Sequence, residues 1–271
     1  MQESTTSTLA QQADVSGFTV ERHLPTPGAV TITLQNPPLN VISLALMRGL
    51  NRVCSEIAQD SEIRVVLIRS TGKAFCAGAD VKEQSENPAE LMVSSIRRLC
   101  HTVFYMPQTT VCEVDGACLG GGMELMLCCD FVVASERAVF AVPEITLGIF
   151  PPVAAVLLPR RIGWPGAKEM LFLGRKVGAA EAKDLGLVLD AVPTEEIAAK
   201  TRELVARLLS YSGTALRALK KALQESSGKP LPDALARVGE IYVDDLVPTG
   251  DHMEGFMAFL EKRPPRWKGQ H

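Results

Sequence analysis

Two glutamates and two small-residue loops carry the chemistry in this sequence. Glu124 and Glu144 lie twenty residues apart, each the lone charge in an apolar run, GGGMELMLCC and AVFAVPEITLGIF. Burial raises a carboxyl's pKa, so one member of such a pair can hold a proton while the other stays ionised. That is what general acid–base work requires, and each proton transfer supplies a rate factor of roughly 10²–10⁴. Gly120-Gly121-Gly122 leads into Glu124, and Ala77-Gly78-Ala79-Asp80 follows the short β-branched run VVLIR. Small residues let the backbone approach a ligand closely. A helix entered from the triple glycine has unpartnered N–H groups in its first turn, at the positive end of its dipole. The two loops can each offer one backbone N–H to a single oxygen that becomes negative. Losing one such donor costs about 3–4 kcal/mol in a transition state.

Plainer readings stand beside this one. A triple glycine before a helix is about as often only a tight turn. A lone glutamate in an apolar run more often faces outward or is paired internally. The residue pattern by itself names no substrate. The four histidines, His23, His101, His252 and His271, are scattered without ligand spacing, so no metal site is expected. There is neither a Gly-x-Ser-x-Gly elbow nor a Walker A loop. Cys118 has no histidine following nearby and reads, like Cys76, as a small packing residue.

Positioning these residues calls for alternating strands and helices. Residues 18–23 and 30–34 alternate as two strands joined by the turn-rich PTPG. Ser43 is placed as an N-cap, and Leu44, Met47, Leu50, Val53, Cys54 and Ile57 follow at helical spacing. A buried strand is expected at 65–69, a loop at 73–81, a helix at 89–105 and a strand at 110–114. The stretch DGACLGGGMELMLCCD then gives a loop and a helix, followed by a strand at 131–134 and a short pairing segment at 138–141. That alternation predicts an α/β fold. From about residue 193 strands cease and four amphipathic helices follow, with apolar stripes that suit a core or an oligomer interface equally.

The bulk properties narrow the class. The 271 residues are 46% hydrophobic and 22% charged, as in ordinary globular proteins. A net charge of −3 and a pI near 5.9 argue against nucleic acid as a partner. Seven cysteines, an odd number without a Cys-x-x-Cys pair, read as reduced small hydrophobes and point to the cytoplasm. The first seventeen residues lack the basic and apolar blocks of a signal peptide. No apolar run approaches the ~20 residues of a membrane span. Residues 1–15, rich in Ser, Thr and Gln, are expected to be a disordered tail.

Taken together, these motifs resemble the crotonase, or enoyl-CoA hydratase/isomerase, superfamily. KAFCAGADVKE (73–83) resembles its first oxyanion-loop motif, DGACLGGGMEL (115–125) its second, and FAVPEITLGIFP (140–151) its second-glutamate motif. PLNVIS (38–43) and EGFMAFLEKRPPRW (254–267) fit as well, so the likeness spans roughly residues 16–268. The resemblance implies a crotonase-like spiral of ββα units over residues 16–192. It also implies a helical segment, 193–271, that serves oligomerisation and part of the acyl-CoA pocket. It implies an acyl-CoA substrate, a homotrimer or hexamer, no membrane and no cofactor beyond the CoA of the substrate. By motif matching, the N–H groups of Ala79 and Gly121 hold the thioester oxygen, Glu124 holds or deprotonates water, and Glu144 protonates Cα. Ala77, Ala79, Asp80, Val81, Lys82 and Gly121 match positions of the CoA site.

Retention of both glutamates favours hydration over the same-fold alternative, a Δ3,Δ2-enoyl-CoA isomerase. Together with the acidic pI, it also disfavours a non-catalytic CoA- or RNA-binding relative. Two departures concern the substrate. Where most hydratases of the family carry a run resembling PGAGG, this chain has Phe150-Pro151-Pro152-Val153-Ala154-Ala155, and Cys118 replaces a customary alanine. FPPVAAVLLPRRIG resembles the subgroup that hydrates cyclic dienoyl thioesters, the cyclohexa-1,5-diene-1-carbonyl-CoA hydratases.

Overall fold

The computed structural model describes residues 17–22 and 27–268. The tail expected at 1–15 lies outside them, as does His23 of the first predicted strand. Strands β1 (Phe18–Arg22) and β2 (Ala29–Leu34) form an antiparallel pair, with Phe18 opposite Leu34. Helix α1 (Leu44–Gln59) starts where expected: the Ser43 side chain accepts the Leu46 N–H, and Leu46, Met47, Leu50, Val53, Cys54 and Ile57 face the core.

Three strand–strand–helix units follow, and each sends its two strands to different sheets. The first is β3 (Val65–Ser70) and β4 (Ala74–Cys76), followed by α2 (Val81–Glu86) and α3 (Ala89–Tyr105). The second is β5 (Thr109–Val114), β6 (Ala117–Leu119) and α4 (Gly121–Leu127). The third is β7 (Phe131–Ser135), β8 (Val139–Ala141) and α5 (Ala154–Leu173), the last broken at Gly163. The first strands join a six-stranded sheet ordered β1-β2-β3-β5-β7-β10, parallel from β2 onward. The second strands join a four-stranded sheet, β4-β6-β8-β9. Strands β9 (Val177–Gly178) and β10 (Asp190–Val192), with α6 (Ala179–Asp184) between them, finish the two sheets.

This arrangement corrects two expectations. Residues 73–81 are not all loop: β4 occupies their first half, and Val81 begins α2. The segment at 138–141 does not pair with β7; β8 pairs with β6 in parallel and with β9 in antiparallel. Strands of three residues are too short to show an alternation, and their partners are distant in sequence. They are held by burial instead. Phe75 in β4 and Phe140 in β8 are fully buried, each contributing about 1.5–3 kcal/mol by removal from water.

Helices α1 and α3 cover one face of the large sheet. Helix α7 (Ile197–Leu209) covers the other, through Val205, Leu208 and Leu209 against Ala29, Val65 and Val111. Being buried on both faces, β2 reads as a continuous apolar and β-branched run, and β5 does so apart from Glu113. Beyond Val192 the described residues contain no strand, as expected. Helices α8 (Gly213–Ser226), α9 (Leu231–Glu240) and α10 (Asp251–Leu260) complete the chain, with a π-helical turn, Ile241–Leu246, between the last two. Lys220, only 8% exposed, fastens α8 to the sheet: its Nζ donates to Gln108 O and Asp130 Oδ2, both at 2.8 Å.

Candidate active site

The four-stranded sheet brings three chain segments side by side. Residues just beyond the ends of β4, β6 and β8 are Ala79, Gly121 and Glu144. Because β4, β6 and β8 are parallel neighbours, all three leave the same edge of the sheet. Each of the three consecutive glycines meets a different neighbour there. Gly120 has φ +50, and a β-carbon on it would lie 2.6 Å from Glu144 Oε1. A β-carbon on Gly121 would sit 3.4 Å from the Ala79 nitrogen. One on Gly122 would lie 2.5 Å from the Cys76 β-carbon. The glycines therefore let α4 start in direct contact with the first loop and with the second glutamate.

Glu124 projects from the first turn of α4 and is 3% exposed. Its Oε1 accepts two backbone N–H groups, from Val153 at 2.7 Å and Ala154 at 3.1 Å, at the start of α5. Burial raises its pKa to about 7; the two N–H groups pull downward, and nearby Glu144 pushes further up. Glu144 sits in a 3₁₀ turn, Pro143–Leu147, directly after β8. Burial raises its pKa too. Its Oε2 is buried with no hydrogen-bond partner among the described residues. A buried oxygen left unpaired in this way is costly unless something supplies its hydrogen bond.

Two backbone N–H groups lie close to each other where the two loops meet. Ile42 bridges Ala79 in parallel: Ile42 N–H donates to Gly78 O at 2.8 Å and Asp80 N–H to Ile42 O at 3.1 Å. In such a bridge the Ala79 N–H points away from Ile42, toward the second loop. Gly121 opens α4, so its N–H lies at the positive helix end. The structure thus brings Glu124, Glu144, Ala79 and Gly121 together.

The positions matched to the CoA site are spread over the adjoining surface. Ala77 N–H is bonded to Leu39 O at 3.0 Å. The Asp80 carboxylate caps α2, accepting from Lys82 N at 2.9 Å and Glu83 N at 3.2 Å. Val81 and Lys82 face outward. Cys76 and Cys118 are buried, and burial pushes both thiols well up, so they pack rather than react.

Reasoning from residue types missed the Val153 and Ala154 N–H groups, because a backbone donor leaves no trace in side-chain chemistry. The one available signal was Pro151-Pro152, since proline favours the start of a helix. Two clefts of about 420 and 760 Å³ lie elsewhere, beside α8, and neither is lined by any of the four residues. Among the described residues no three His, Cys, Asp or Glu side chains form a group that could hold a metal ion. No helix among them is long and apolar enough to cross a membrane.

Two carboxylates with raised pKa values thus lie beside the Ala79 and Gly121 amides at one edge of stacked ββα units. Comparison with known proteins supplies the class. The profile of the family described as enoyl-CoA hydratase/isomerase matches residues 26–270, and the chain belongs to this family. Among its relatives is YngF of Bacillus subtilis, 38% identical over 244 residues, covering 88% of this chain and 94% of YngF. Another is human mitochondrial methylglutaconyl-CoA hydratase, 35% identical over 240 residues, covering 85% of this chain and 70% of that protein. The crystal structure of an enoyl-CoA hydratase from Bacillus anthracis superposes with a TM-score of 0.88 at 37% identity, covering 93% and 99% of the two chains.

Proposed function

We propose that the protein is an enoyl-CoA hydratase, adding water across the C2–C3 double bond of an acyl-CoA thioester. The observation that carries this reading is the contact between Glu144 Oε1 and the Gly120 turn, which sets the second carboxylate beside the first residues of the Glu124 helix. Two proximal carboxylates with raised pKa values suit a reaction that consumes a base and an acid in one turnover.

The thioester oxygen accepts the Ala79 and Gly121 N–H groups, which stabilise it as negative charge develops. Water approaches C3 and passes a proton to Glu124, while its oxygen forms the new C–O bond. The C2–C3 π electrons shift toward the thioester and return to take a proton at C2 from Glu144. Glu124 then carries the proton that Glu144 has lost, and a transfer between them resets the pair. The Val153 and Ala154 N–H groups hold Glu124 Oε1, leaving Oε2 for the water. Moving a double bond without hydration needs one proton shuttle and no oriented water; the second raised carboxylate supports hydration.

The acyl group in this reading is hydrocarbon in character, such as a cyclic dienoyl. Pro151 and Pro152 have no N–H, and the next two N–H groups are taken by Glu124, so this turn offers the acyl group no free donor. Leu147, Ile149 and Phe150 beside it are exposed and apolar. Crotonyl-CoA and a cyclic dienoyl-CoA in oxygen-labelled water test the reading. Incorporated label with either thioester supports hydration; a shifted double bond without label makes the protein an isomerase, and no reaction with any enoyl thioester refutes the proposal.

The assembly in this reading is a homotrimer or hexamer in the cytoplasm. Apolar side chains left exposed on the C-terminal helices, among them Leu235, Phe256, Phe259 and Leu260, support self-association. Light scattering is expected to give three or six times the 29.2 kDa chain mass.

A further inference from the structure

We propose that Asn40 is a positioning residue for the Ala79 donor. The inference rests on the reading that Ala79 and Gly121 hold the thioester oxygen. Asn40 is polar yet only 2% exposed, and it adopts φ 53, in the left-handed region that Asn tolerates better than most residues. Its side chain makes three hydrogen bonds and uses both amide donors. Oδ1 accepts the Asn36 N–H at 2.8 Å, and Nδ2 donates to Thr71 O and to Ala74 O, both at 2.8 Å.

Those two carbonyls flank the turn between β3 and β4, and β4 runs directly into the loop that carries Ala79. Residues on either side of Asn40 continue the same seam. Ala77 N–H donates to Leu39 O at 3.0 Å, Ile42 N–H to Gly78 O at 2.8 Å, and Asp80 N–H to Ile42 O at 3.1 Å. The segment around Asn40 therefore lies along residues 74–80 as a template, and Asn40 fixes its register by one side chain. Asn36 Nδ2 braces the template from behind through Val41 O at 2.8 Å. On its opposite side the loop packs against the second loop at ordinary van der Waals distance. A β-carbon on Gly78 would lie 3.4 Å from Leu119 O, and one on Gly121 the same distance from the Ala79 nitrogen. A small shift of the template moves one donor relative to the other. Asn40 touches neither carboxylate, so its effect is confined to carbonyl polarisation.

Wild type, Asn40→Gly and Asn40→Asp are compared in two measurements. One is steady-state hydration of crotonyl-CoA. The other is the absorption of bound para-dimethylaminocinnamoyl-CoA, whose band moves to the red as its thioester carbonyl is polarised. Glycine keeps the left-handed backbone and removes all three side-chain bonds; aspartate keeps the acceptor and sets a carboxylate against two carbonyls. Both variants are expected to bind the thioester within about threefold of wild type, lose most of the red shift, and fall about 10–100-fold in kcat. A folded Asn40→Gly with full red shift and full kcat overturns the proposal. If both variants fail to fold, Asn40→Ser, which replaces the amide by a single hydroxyl, decides: an undiminished red shift overturns the proposal, and a partial loss supports it. Wild type that shows the red shift without adding water sinks the hydration reading, and the Asn40 inference is then judged on the shift. Wild type without any red shift overturns both.

Discussion

Val153 donates its backbone N–H to Glu124 Oε1 at 2.7 Å, so the helix that follows the second glutamate begins by gripping the first. Because the grip favours the ionised form while burial opposes it, Glu124 titrates near neutrality, at about 7. In the proposed reaction a base of this kind makes kcat/KM rise with pH through about 7. Glu124→Gln and Glu144→Gln are each expected to lower kcat by at least about 10²-fold with the thioester still bound. A pH–rate profile of wild type that is flat between pH 5 and 9 would count against the pair.

Stability is expected to move the other way. The folded pKa of Glu124, about 7, lies above its ordinary 4.5, so the folded state holds this proton more tightly than the unfolded chain. The resulting stabilisation is fully present below pH 4.5 and is lost as pH rises through about 7. Glutamine keeps an oxygen for the Val153 and Ala154 N–H groups and carries no charge. Glu124→Gln should therefore be more stable than wild type at pH 8, by at most about 3 kcal/mol, with the gap closing toward pH 4.5. Thermal melts of both proteins across that range measure it; a variant less stable at pH 8 contradicts the assignment.

Gly122 offers a steric test. A β-carbon there would meet the Cys76 β-carbon at 2.5 Å and the Cys76 carbonyl oxygen at 2.8 Å. Gly122→Ala is expected to cost about 1–3 kcal/mol through overpacking. Trimming the thiol as well, in Gly122→Ala/Cys76→Ala, should not restore stability, since the β-carbon and the carbonyl both remain. Urea unfolding of the two variants distinguishes this from a clash with sulfur alone.

The bond from Lys220 to Asp130 joins a buried ammonium to a carboxylate that also accepts the Thr110 N–H and hydroxyl. Removing one partner of a buried pair strands the other, at about 3–5 kcal/mol. Asp130 keeps some contact with water, its side chain being 27% exposed, so Lys220→Met is expected to cost somewhat less, about 2–3 kcal/mol. Hydrogen exchange should show the loss first in α8, and an unchanged unfolding midpoint would refute it.

All seven thiols are buried and free, and burial pushes Cys54 and Cys76 up to about 12. A maleimide probe is expected to label fewer than one cysteine per native chain over minutes at pH 7, and all seven once the chain is unfolded. Rapid labelling of native protein would contradict the packing.

The sequence was most readable where a pattern repeats. Helix α3 lies at Ala89–Tyr105, the predicted range, because Met92, Ile96, Leu99, Cys100 and Val103 recur at helical spacing. The two glutamates stood out because charge is rare in apolar runs. Strands β4, β6 and β9 escaped, being three residues or fewer, with no room for alternation. The pairing of Ile42 with Ala79, and the amides that hold Glu124, escaped for a different reason. They are backbone contacts between distant segments, and only the folded chain defines them.

Strands β4, β6 and β8 act as a ruler. Hydrogen-bonded neighbours lie about 4.8 Å apart whatever their side chains, so the spacing of the groups at their ends is set by peptide geometry. The connection that leaves this edge through α2 is not bonded to either glutamate and can lengthen or change shape without altering that spacing. The turn at Pro151-Pro152, by contrast, is tied to Glu124 through Val153 and Ala154. Such a scaffold separates what reacts from what is admitted. New acyl groups can be accommodated by rebuilding the α2 connection, while the calibration of the reacting atoms is inherited unchanged.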